Sequence, residues 1–295
     1  MGRRAALIVN PNAGGGRAAA ALPAVEARLA ELGVGFHTER TRDLPHGQDL
    51  ARAAAAAGEV AVTLSGDGLI GAVADALRGT DGGVLGVLPG GRGNDFARVA
   101  GIPRDPVAAC DVIAHGVERP LDLGEADGRA FIGIASLGFD SDANRIANEA
   151  PSRLGSVAYL YAAVRALLGW RPATFRVEVD GRELSFRGWS VGAANSKAYG
   201  GGMYAAPGAE FDDGLLDVVF LRETSKPYFV RVVLPRIFKG SHVELDAVEV
   251  LRGVEVRVSA DRPFTVYADG DPIGELPITM RAVPAALRVL LPEGG

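Results

Sequence analysis

The first 115 residues alternate between short apolar runs and longer stretches with helical periodicity. The apolar runs cover residues 5–10, 35–39, 60–64 and 84–88, and the helix-like stretches cover 18–32, 46–57, 69–78 and 105–115. Continuous apolar runs of this length are typical of parallel strands that are buried on both faces. The alternation therefore predicts an open parallel α/β sheet, in which the loops at the carboxyl ends of the strands carry the site.

The pattern changes near Leu121, where strand-like segments begin to follow one another with few helices between them. These segments cover residues 131–136, 174–179, 183–191, 216–221, 248–258 and 264–268, and the two helix-like stretches cover 154–169 and 226–238. Asp180-Gly181 is a hairpin signal, and Pro235 is expected to kink or end the second helix. This part predicts a mostly antiparallel, sandwich-like β domain.

The two patterns predict two domains with a cleft between them. We expect an α/β domain over residues 1–123 and a mostly β domain over residues 124–279. The last segment, about 280–295, contains another apolar run and is expected to return to the first domain.

Composition narrows the class of protein. The single cysteine, Cys110, excludes an intramolecular disulfide and fits a reducing compartment. The net charge of −5 does not indicate bulk attraction to nucleic acid or to anionic lipid. The most apolar helix-like stretch, 157–170, is interrupted by Arg165 and is shorter than the ~20 apolar residues that span a bilayer. These features predict a cytoplasmic protein without a transmembrane segment or a nucleic-acid partner, and they leave a homodimer and transient membrane contact open.

Three loops in the first domain are rich in Gly, Asn and Asp, and each follows a predicted strand. They are Asn10-Pro11-Asn12-Ala13-Gly14-Gly15-Gly16-Arg17, Ser65-Gly66-Asp67-Gly68 and Pro89-Gly90-Gly91-Arg92-Gly93-Asn94-Asp95. Glycine lets backbone N–H groups approach an anion, and a helix N-terminus adds partial positive charge. Each loop alone is more typical of a tight connection than of an anion site, but three such loops at one sheet edge predict a polyphosphate cradle. A Gly-Lys-Ser/Thr motif and a dinucleotide-binding fingerprint after the first strand are both absent.

These residues carry a resemblance to the diacylglycerol kinase catalytic family, which includes bacterial lipid kinases and sphingosine and ceramide kinases. The first loop resembles the opening motif of that family, Ser65–Gly68 its Gly-Gly-Asp-Gly signature, and residues 89–98 its Pro-x-Gly-Thr-x-Asn-Asp-Phe-Ala-Arg motif. Further matches occur in the same order at Gly138-Phe139-Asp140, Gly200-Gly201-Gly202-Met203, Ala206-Pro207, Asp212-Asp213-Gly214-Leu215-Leu216-Asp217 and Asp269-Gly270-Asp271. The resemblance spans nearly the whole chain and implies a two-domain kinase with ATP on the first domain and the acceptor in the cleft.

The resemblance also implies a set of site residues. The nucleotide would be held by Asn10, Pro11, Asn12, Ala13, Gly14, Thr41, Ser65, Gly66, Asp67, Gly68, Leu69, Gly91, Arg92, Asn94 and Asp95. A structural Mg²⁺ would be bound by Glu210, Asp213 and Leu215, although an exposed acidic turn without metal is the alternative. The catalytic residues would be Asp67, which faces Mg²⁺-bound phosphates, and Asp271, which takes the proton of the acceptor hydroxyl.

Several of these residues also have ordinary structural explanations. Asn10 could orient its own loop through an Asn-Pro turn rather than bind the nucleotide. Thr41 could cap the following segment. Asp95 could hold the third loop or simply cap a helix that begins at Phe96. The helix-like stretch 154–170 could line the acceptor cleft or pack in the core.

The chain departs from the family pattern at several positions, one of which is Gly71-Ala72, where Asn-Glu often follows the signature. Ser65 replaces the first Gly of the signature, Leu69 replaces the Thr after it, and Arg92 replaces the Thr of the third loop. The family base is Glu, whereas this chain has Asp271, which is one methylene shorter. Because the guanidinium fork matches phosphate oxygens, we hypothesise that Arg92 replaces the family Thr in holding the nucleotide.

The sequence thus predicts an ATP-dependent lipid kinase that transfers the γ-phosphoryl group to a lipid hydroxyl, with a diacylglycerol-like acceptor. The departures keep two alternatives open. One is a kinase of the same fold that acts on a non-membrane alcohol or a specialised metabolite. The other is a catalytically degenerate nucleotide-binding regulator.

Overall fold

A computed structural model describes residues 3–149 and 158–293. In the first part of the chain, strands and helices alternate. The strands are β1 (Arg4–Val9), β2 (Gly35–Arg40), β3 (Val60–Ser65) and β4 (Val84–Pro89), and the helices are α1 (Arg17–Glu31), α2 (Leu44–Ala56), α3 (Asp67–Leu77), α4 (Asp95–Val99) and α5 (Pro106–His115). The predicted strand–helix alternation is therefore present, with ends that differ by a few residues.

The four strands pair in parallel in the order β2-β1-β3-β4. β3 and β4 are buried along their whole length, which explains why their sequences are continuously apolar. The chain turns from β1 outward to β2 and then returns to the other side of β1 to form β3. Ligands of open α/β sheets bind in the crevice at such a reversal, outside the carboxyl ends of the strands. The first and second glycine-rich loops begin at this point.

The second part of the chain is mostly antiparallel. Its elements are β5 (Val117–Ala126), β6 (Arg129–Phe131), β7 (Ile134–Gly138), α6 (Phe139–Glu149), α7 (Ala158–Gly169), β8 (Ala173–Val179), β9 (Arg182–Ala194), β10 (Leu216–Arg222), α8 (Lys226–Tyr228), α9 (Leu234–Ile237), β11 (Val248–Gly253), β12 (Glu255–Ala260), β13 (Thr265–Ala268), β14 (Asp271–Glu275) and β15 (Ile278–Leu291). Asp180-Gly181 forms the predicted hairpin between β8 and β9. A π-helical stretch, Phe229–Val233, separates α8 from α9.

Several element boundaries that were predicted from the sequence of this part were wrong. The predicted strand 131–136 is divided between β6 and β7, and the predicted strand 248–258 is divided between β11 and β12 at Val254. β5, β14 and α6 were not predicted. The predicted helix 154–169 begins at Ala158 in the described part, and residues 154–157 lie outside the described residues.

Two long strands join the domains. β15 pairs with β12 through its first residues, with β5 along most of its length, and with β4 in parallel at Arg288 and Val289. Leu287, Val289, Leu290 and Leu291 are buried in the core of the first domain, whereas Ile278, Met280 and Ala282 are buried in the core of the second. The sheet is therefore continuous from one domain to the other. The boundaries drawn from the sequence at residues 123/124 and 279/280 stay a prediction.

The helices within residues 3–149 and 158–293 include none that is both long enough and apolar enough to cross a membrane.

Candidate active site

The second and third glycine-rich loops touch through their backbones. Gly66 directly follows β3, and a Cβ on Gly66 would lie 3.0 Å from the Cα of Gly91. A Cβ on Gly91 would collide with the Cα of Gly66. The N–H of Gly90 donates to the carbonyl of Ser65 at 2.7 Å. Glycine is thus required here by the close approach of two backbones, which brings both loops to one edge of the sheet.

The first loop is tied to the third by an arginine. Arg17, at the start of α1, donates from Nε to the carbonyl of Gly14 at 3.2 Å and from a terminal nitrogen to the carbonyl of Gly91 at 2.6 Å. Gly14, Gly15 and Gly16 all have φ between 63° and 94°, a region that favours glycine. All three predicted loops therefore meet at the carboxyl ends of β1, β3 and β4.

Asn10 forms the Asn-Pro turn that was the structural alternative to nucleotide binding. Its side-chain oxygen accepts the N–H of Asn12 at 3.0 Å, across Pro11, and its own carbonyl accepts the N–H of Ala13 at 3.1 Å. The amide nitrogen of its side chain has no hydrogen-bond partner among the residues that the structure describes. Asn10 can therefore both shape the first loop and offer a donor at its rim.

The N-terminus of α3 lies at the centre of the three loops. Gly66 is its N-cap residue and makes no side-chain cap bond, so the first N–H groups of the helix, at Asp67, Gly68 and Leu69, have no partner within the helix. Such groups, together with the helix dipole, attract anions. This helix end therefore offers free N–H donors and partial positive charge to an anion.

Asp67 also supports the third loop. Its Oδ1 accepts the N–H groups of Asp95 at 2.8 Å and Phe96 at 3.3 Å, and so it caps α4. Its Oδ2 lies 2.9 Å from the position of a Cβ on Gly93 and has no hydrogen-bond partner within the described ranges. One oxygen therefore holds the loop and the other is available to a cation.

The third loop is closed by Asn94. Its side-chain oxygen accepts the N–H of Gly91 at 2.9 Å, and its side-chain nitrogen donates to the carbonyl of Gly91 at 3.1 Å. Asn94 itself has φ 51°, ψ 46°, in the left-handed region that Asn tolerates better than most residues. Arg92 points out of this loop: it is exposed, makes no hydrogen bond or ion pair within the described part of the chain, and lies 3.9 Å from the position of a Cβ on Gly15.

Asp95 connects the domains instead of capping a helix. α4 begins at Asp95 rather than Phe96, and its N-cap residue is Asn94, so the capping interpretation was wrong. The carboxylate of Asp95 accepts the N–H of Gly201 from the second domain at 2.7 Å and pairs with Arg98 at 3.1 Å. Burial raises the pKa of Asp95, although the N–H of Gly201 opposes this.

Asp271 reaches the same place from the second domain. It begins β14, directly after the tight turn Asp269-Gly270. Its Oδ2 lies 3.7 Å from the position of a Cβ on Gly68, in the first turn of α3. Burial raises the pKa of Asp271, and the charge of Arg129 opposes the rise. The two residues predicted to be catalytic thus both lie at the first turn of α3.

Asp269 anchors this turn. Its carboxylate accepts three consecutive backbone N–H groups, at Ile132 (2.8 Å), Gly133 (3.0 Å) and Ile134 (3.2 Å). Its Oδ2 also lies 3.4 Å from the position of a Cβ on Gly71 of α3. Burial, more than the charge of Asp67, raises the pKa of Asp269 to about 6. Asp269 therefore fixes the turn that presents Asp271.

Two predicted nucleotide contacts are buried. Leu69 is 2% exposed, and its side chain lies against Gly47 of α2, where a Cβ would collide with it. The side chain of Thr41 is also buried there, and α2 is capped by Asp43, whose side chain accepts the N–H of His46 at 2.8 Å. The capping alternative for Thr41 was therefore wrong. Leu69 can reach a phosphate only through its backbone.

The predicted metal turn lies beside β15, where it is tied to the first domain. Asp122 of β5 accepts the N–H of Gly214 at 2.6 Å and the N–H of Ala285 at 2.7 Å. Asp213 accepts the N–H of Leu215 through Oδ1 at 3.0 Å, and its Oδ2 pairs closely with Arg252. The side chain of Arg252 also binds Asp217 at 3.2 Å.

The donor set of this turn suits a hard cation, but a guanidinium is already present. Glu210 is exposed, and its charge adds to burial in raising the pKa of Asp217 to about 6. Carboxylate and carbonyl oxygens are the ligands that Mg²⁺ prefers. No group of three or more His, Cys, Asp or Glu side chains with metal-ligand geometry occurs among the described residues. The oxygen atoms of this turn are suitable ligands for Mg²⁺. However, Asp213 would have to release Arg252 before it could bind a metal ion.

Sequence reasoning gave no role to three residues that lie at the site. Arg17 and Arg98 bind the loop carbonyls of Gly91 and Gly93. Asp269 was part of a motif, but its anchoring role was not inferred. Arg17 directly follows three glycines at a helix start, and that signal could have singled it out. Nothing local distinguishes Asp269, whose partners are about 136 positions away in the chain.

Comparisons with known proteins identify the family of this chain. Residues 4–126 match the family model of the diacylglycerol kinase catalytic domain, and residues 133–291 match the YegS C-terminal NAD kinase beta sandwich-like domain. A diacylglycerol kinase of Mycobacterium tuberculosis is 38% identical over 98% of this chain and 95% of its own length. A probable lipid kinase YegS-like of Pseudomonas fluorescens is 33% identical over 92% of this chain and 90% of its own length.

A solved structure shares the fold. The crystal structure of a diacylglycerol kinase from Bacillus anthracis Sterne superimposes with a TM-score of 0.77 at 19% identity and covers 99% of this chain and 98% of its own. At that identity the likeness supports the architecture alone. The two family models and the relatives show that this chain belongs to the diacylglycerol kinase family, and the solved structure shares its two-domain fold.

Proposed function

We propose that this protein is an ATP-dependent lipid kinase that transfers the γ-phosphoryl group of ATP to the hydroxyl of a diacylglycerol-like lipid. One observation carries the proposal: Asp271 of the second domain lies against Gly68, in the first turn of α3, where the three glycine-rich loops meet. A carboxylate beside an anion site is the arrangement that phosphoryl transfer to an alcohol requires. The family assignment supports the same reaction type.

In this proposal the first domain holds the triphosphate. The free N–H groups at the start of α3 and the glycines of the first and third loops would bind phosphate oxygens. Arg92 has no other partner in the described ranges and would add a charge-assisted bond to phosphate. The free Oδ2 of Asp67 would hold the Mg²⁺ that accompanies ATP, and that ion would neutralise charge on the transferred group.

Asp271 is proposed as the base. The acceptor oxygen attacks the γ-phosphorus, its bond to phosphorus forms as the bond to ADP breaks, and its proton passes to the Asp271 carboxylate. Burial raises the pKa of Asp271, which makes this carboxylate a better proton acceptor than an exposed aspartate. Asp95 and Arg98 contribute by holding the domains together at Gly201, which keeps Asp271 facing the phosphate site.

We also propose that Glu210, Asp213 and Leu215 bind a structural Mg²⁺. Arg252 would compete with that ion, because it pairs with Asp213. A cytoplasmic location and a lipid partner are also part of the proposal. Cell fractionation tests the location directly.

The reaction is tested by incubating the protein with γ-labelled ATP and Mg²⁺ against a panel of diacylglycerol, sphingosine, ceramide, NAD and soluble alcohols. We expect labelled phosphatidic acid as the main product. Transfer only to a soluble alcohol would replace the acceptor and retain the chemistry. Binding of ATP without transfer to any acceptor would favour the regulatory alternative and refute the kinase.

A further inference from the structure

Asp271 begins a strand that its own sheet restrains weakly. β14 is an edge strand that pairs with β13 alone among the described strands. Its second residue, Pro272, has no N–H to donate to the ladder. The register also shifts between Val266 and Tyr267, and Tyr267 is the residue that faces Pro272. An edge ladder with a missing donor and a shifted register gives little restraint, so the position of the carboxylate depends on contacts from outside the sheet.

The β5–β6 hairpin supplies such contacts. Its strands are joined by the turn Asp127-Gly128, whose residues have φ of 48° and 77°, both positive as a type I′ hairpin turn requires. The turn lies against β14 at Gly274, where a Cβ would be 2.7 Å from the Oδ2 of Asp127. Arg129, directly after the turn, donates from a terminal nitrogen to the carbonyl of Pro272 at 2.8 Å. A guanidinium therefore holds the residue next to the proposed base.

The same hairpin is bound to α3, whose first turn is the proposed phosphate site. Asp75 of α3 accepts the N–H of Ala130 at 2.8 Å. Arg78, which directly follows α3, donates to the carbonyl of Gly128 at 2.9 Å and pairs closely with Glu125 of β5. The hairpin thus connects the helix that would bind phosphate with the strand that carries the proposed base.

Arg129 also presents a positive charge to Asp271. Burial raises the pKa of Asp271, and the charge of Arg129 opposes that rise. The charged groups on the other neighbouring elements are acidic: Asp67 on α3, Asp269 in the β13–β14 turn and Asp127 in the hairpin turn. Arg129 therefore favours the ionised form of Asp271, which is the form that accepts a proton. Because the side chain of Arg129 is exposed, salt should weaken this effect.

We propose that Arg129 is a positioning residue for phosphoryl transfer, which holds the backbone beside Asp271 so that the carboxylate faces the start of α3 and presents a positive charge to that carboxylate. This inference rests on the proposed function and adds to it a residue that acts through Asp271 rather than on the substrates. An arginine that only stabilised the fold would change the free energy of unfolding without changing the titration of Asp271.

The first test needs no substrate. The carboxyl carbons of aspartate are labelled with ¹³C, the signal of Asp271 is identified by its loss in Asp271→Asn, and its titration is followed by NMR without nucleotide or Mg²⁺. In Arg129→Gln the midpoint should move to higher pH, because the opposing positive charge is gone. Arg129→Lys keeps the charge and should stay near the wild-type midpoint. An unchanged midpoint in Arg129→Gln would overturn the proposal.

Arg187→Gln is the matched control. Arg187 is an exposed arginine on β9 that pairs with Glu223 at 2.8 Å, so its substitution removes a contact of the same length elsewhere in the second domain. Asp271 should titrate in this variant as it does in the wild type. An equal shift in Arg187→Gln and Arg129→Gln would show a general effect of net charge and would overturn the specific role of Arg129.

Kinetics separate this proposal from the kinase proposal. With the acceptor that the wild type phosphorylates, Arg129→Gln should lower kcat/KM about 5-fold on the acid side of the pH profile and less on the alkaline side. The Kd for ATP should stay unchanged, and Arg129→Lys should restore most of the activity. A deficit of equal size at every pH would indicate a purely structural role and overturn the proposal.

The two proposals can also fail separately. If the wild type transferred phosphate to no acceptor, the kinase would be refuted, whereas a shifted titration of Asp271 in Arg129→Gln would still support the action of Arg129 on that carboxylate.

Discussion

In the proposed reaction, the position of Asp271 in the fold compensates for its short side chain. Although it is one methylene shorter than the glutamate of the family motif, the start of β14 brings its carboxylate to the first turn of α3. We predict that Asp271→Asn lowers kcat about 100-fold or more, because the amide cannot accept the proton, and leaves the Kd for ATP little changed. Asp271→Glu should retain part of the activity.

Steady-state kinetics over a pH series check this assignment. The base acts ionised, and burial raises its pKa above the ordinary value of 3.8, so kcat/KM should rise with pH through that raised pKa and then level off. Wild-type activity in Asp271→Asn, with an unchanged acid limb, would exclude Asp271 as the base.

Arg92 is the one departure from the family pattern that adds a charge at the proposed phosphate site. It is exposed and without a partner among the described residues, close to Gly15 of the first loop. We predict that Arg92→Ala raises the Kd for ATP about 10-fold, the typical loss for a hydrogen bond to a charged group. Calorimetric titration measures it, with Arg182→Ala at the β8–β9 turn as a control. An unchanged Kd in Arg92→Ala would rule out the role.

The turn between β13 and β14 depends on one buried carboxylate. The pKa of Asp269 is raised from 3.8 to about 6, chiefly by burial. Between these values the folded protein holds a proton that the unfolded chain has released, so the contribution of this group to the free energy of unfolding decreases as pH rises from about 4 to about 6.

Asp269→Asn removes that titration. We predict that the variant is less stable at pH 4.5, because Asn replaces one acceptor oxygen by a donor, and that its deficit relative to wild type narrows by pH 6.5. Urea unfolding at both pH values measures the change. A deficit that is constant, or that grows with pH, would contradict the assignment.

At the acidic turn before β10, a guanidinium and the proposed metal ion would compete for the same carboxylates. Arg252 pairs with Asp213 and Asp217, where the family would bind Mg²⁺. We predict that Arg252→Gln lowers the Tm in chelator, because the carboxylates then lack a counter-ion, and that millimolar Mg²⁺ restores part of it. Wild-type Tm should respond less.

Thermal melts with Mg²⁺ and with Na⁺ at equal ionic strength test this competition. Arg222→Gln, which removes an ion pair with Glu249 in neighbouring strands, is the control. Equal responses of the two variants to Mg²⁺ would show that no specific site forms.

Helices and strands were well predicted wherever the apolar residues followed one clear periodicity. β1, β3 and β4 appeared as apolar runs, and α1 and α2 as helical periods, because parallel strands and amphipathic helices have simple burial patterns. β5 was missed because Pro120 and several charged residues interrupt it on its exposed half. β14 was missed because it begins with Asp271-Pro272 and contains Gly274, residues that favour turns.

Over the whole molecule, the two domains are coupled through β15. Leu290 is fully buried in the core of the first domain, whereas Trp170 and Trp189 are buried in the core of the second. We predict that Leu290→Ala destabilises the protein by ~2–5 kcal/mol and shifts the unfolding transition reported by tryptophan fluorescence, although the substitution lies in the other core.

Urea denaturation followed by fluorescence and by far-UV circular dichroism checks the coupling. Coincident transitions in wild type and variant would indicate one cooperative unit. A tryptophan transition that does not move in Leu290→Ala would show that the second domain unfolds independently of the first.

The amino-acid sequence by itself determined the periodicity of the strands and helices, the three glycine-rich loops and the order of the family motifs. Each of these features depends on residues that are only a few positions apart in the chain. Only folding decided that Asp67 caps α4, that Asp95 binds Gly201, and that Asp271 faces Gly68 some 200 positions away. Such contacts depend on how rigid elements pack across two cores, and short-range sequence patterns do not encode that geometry.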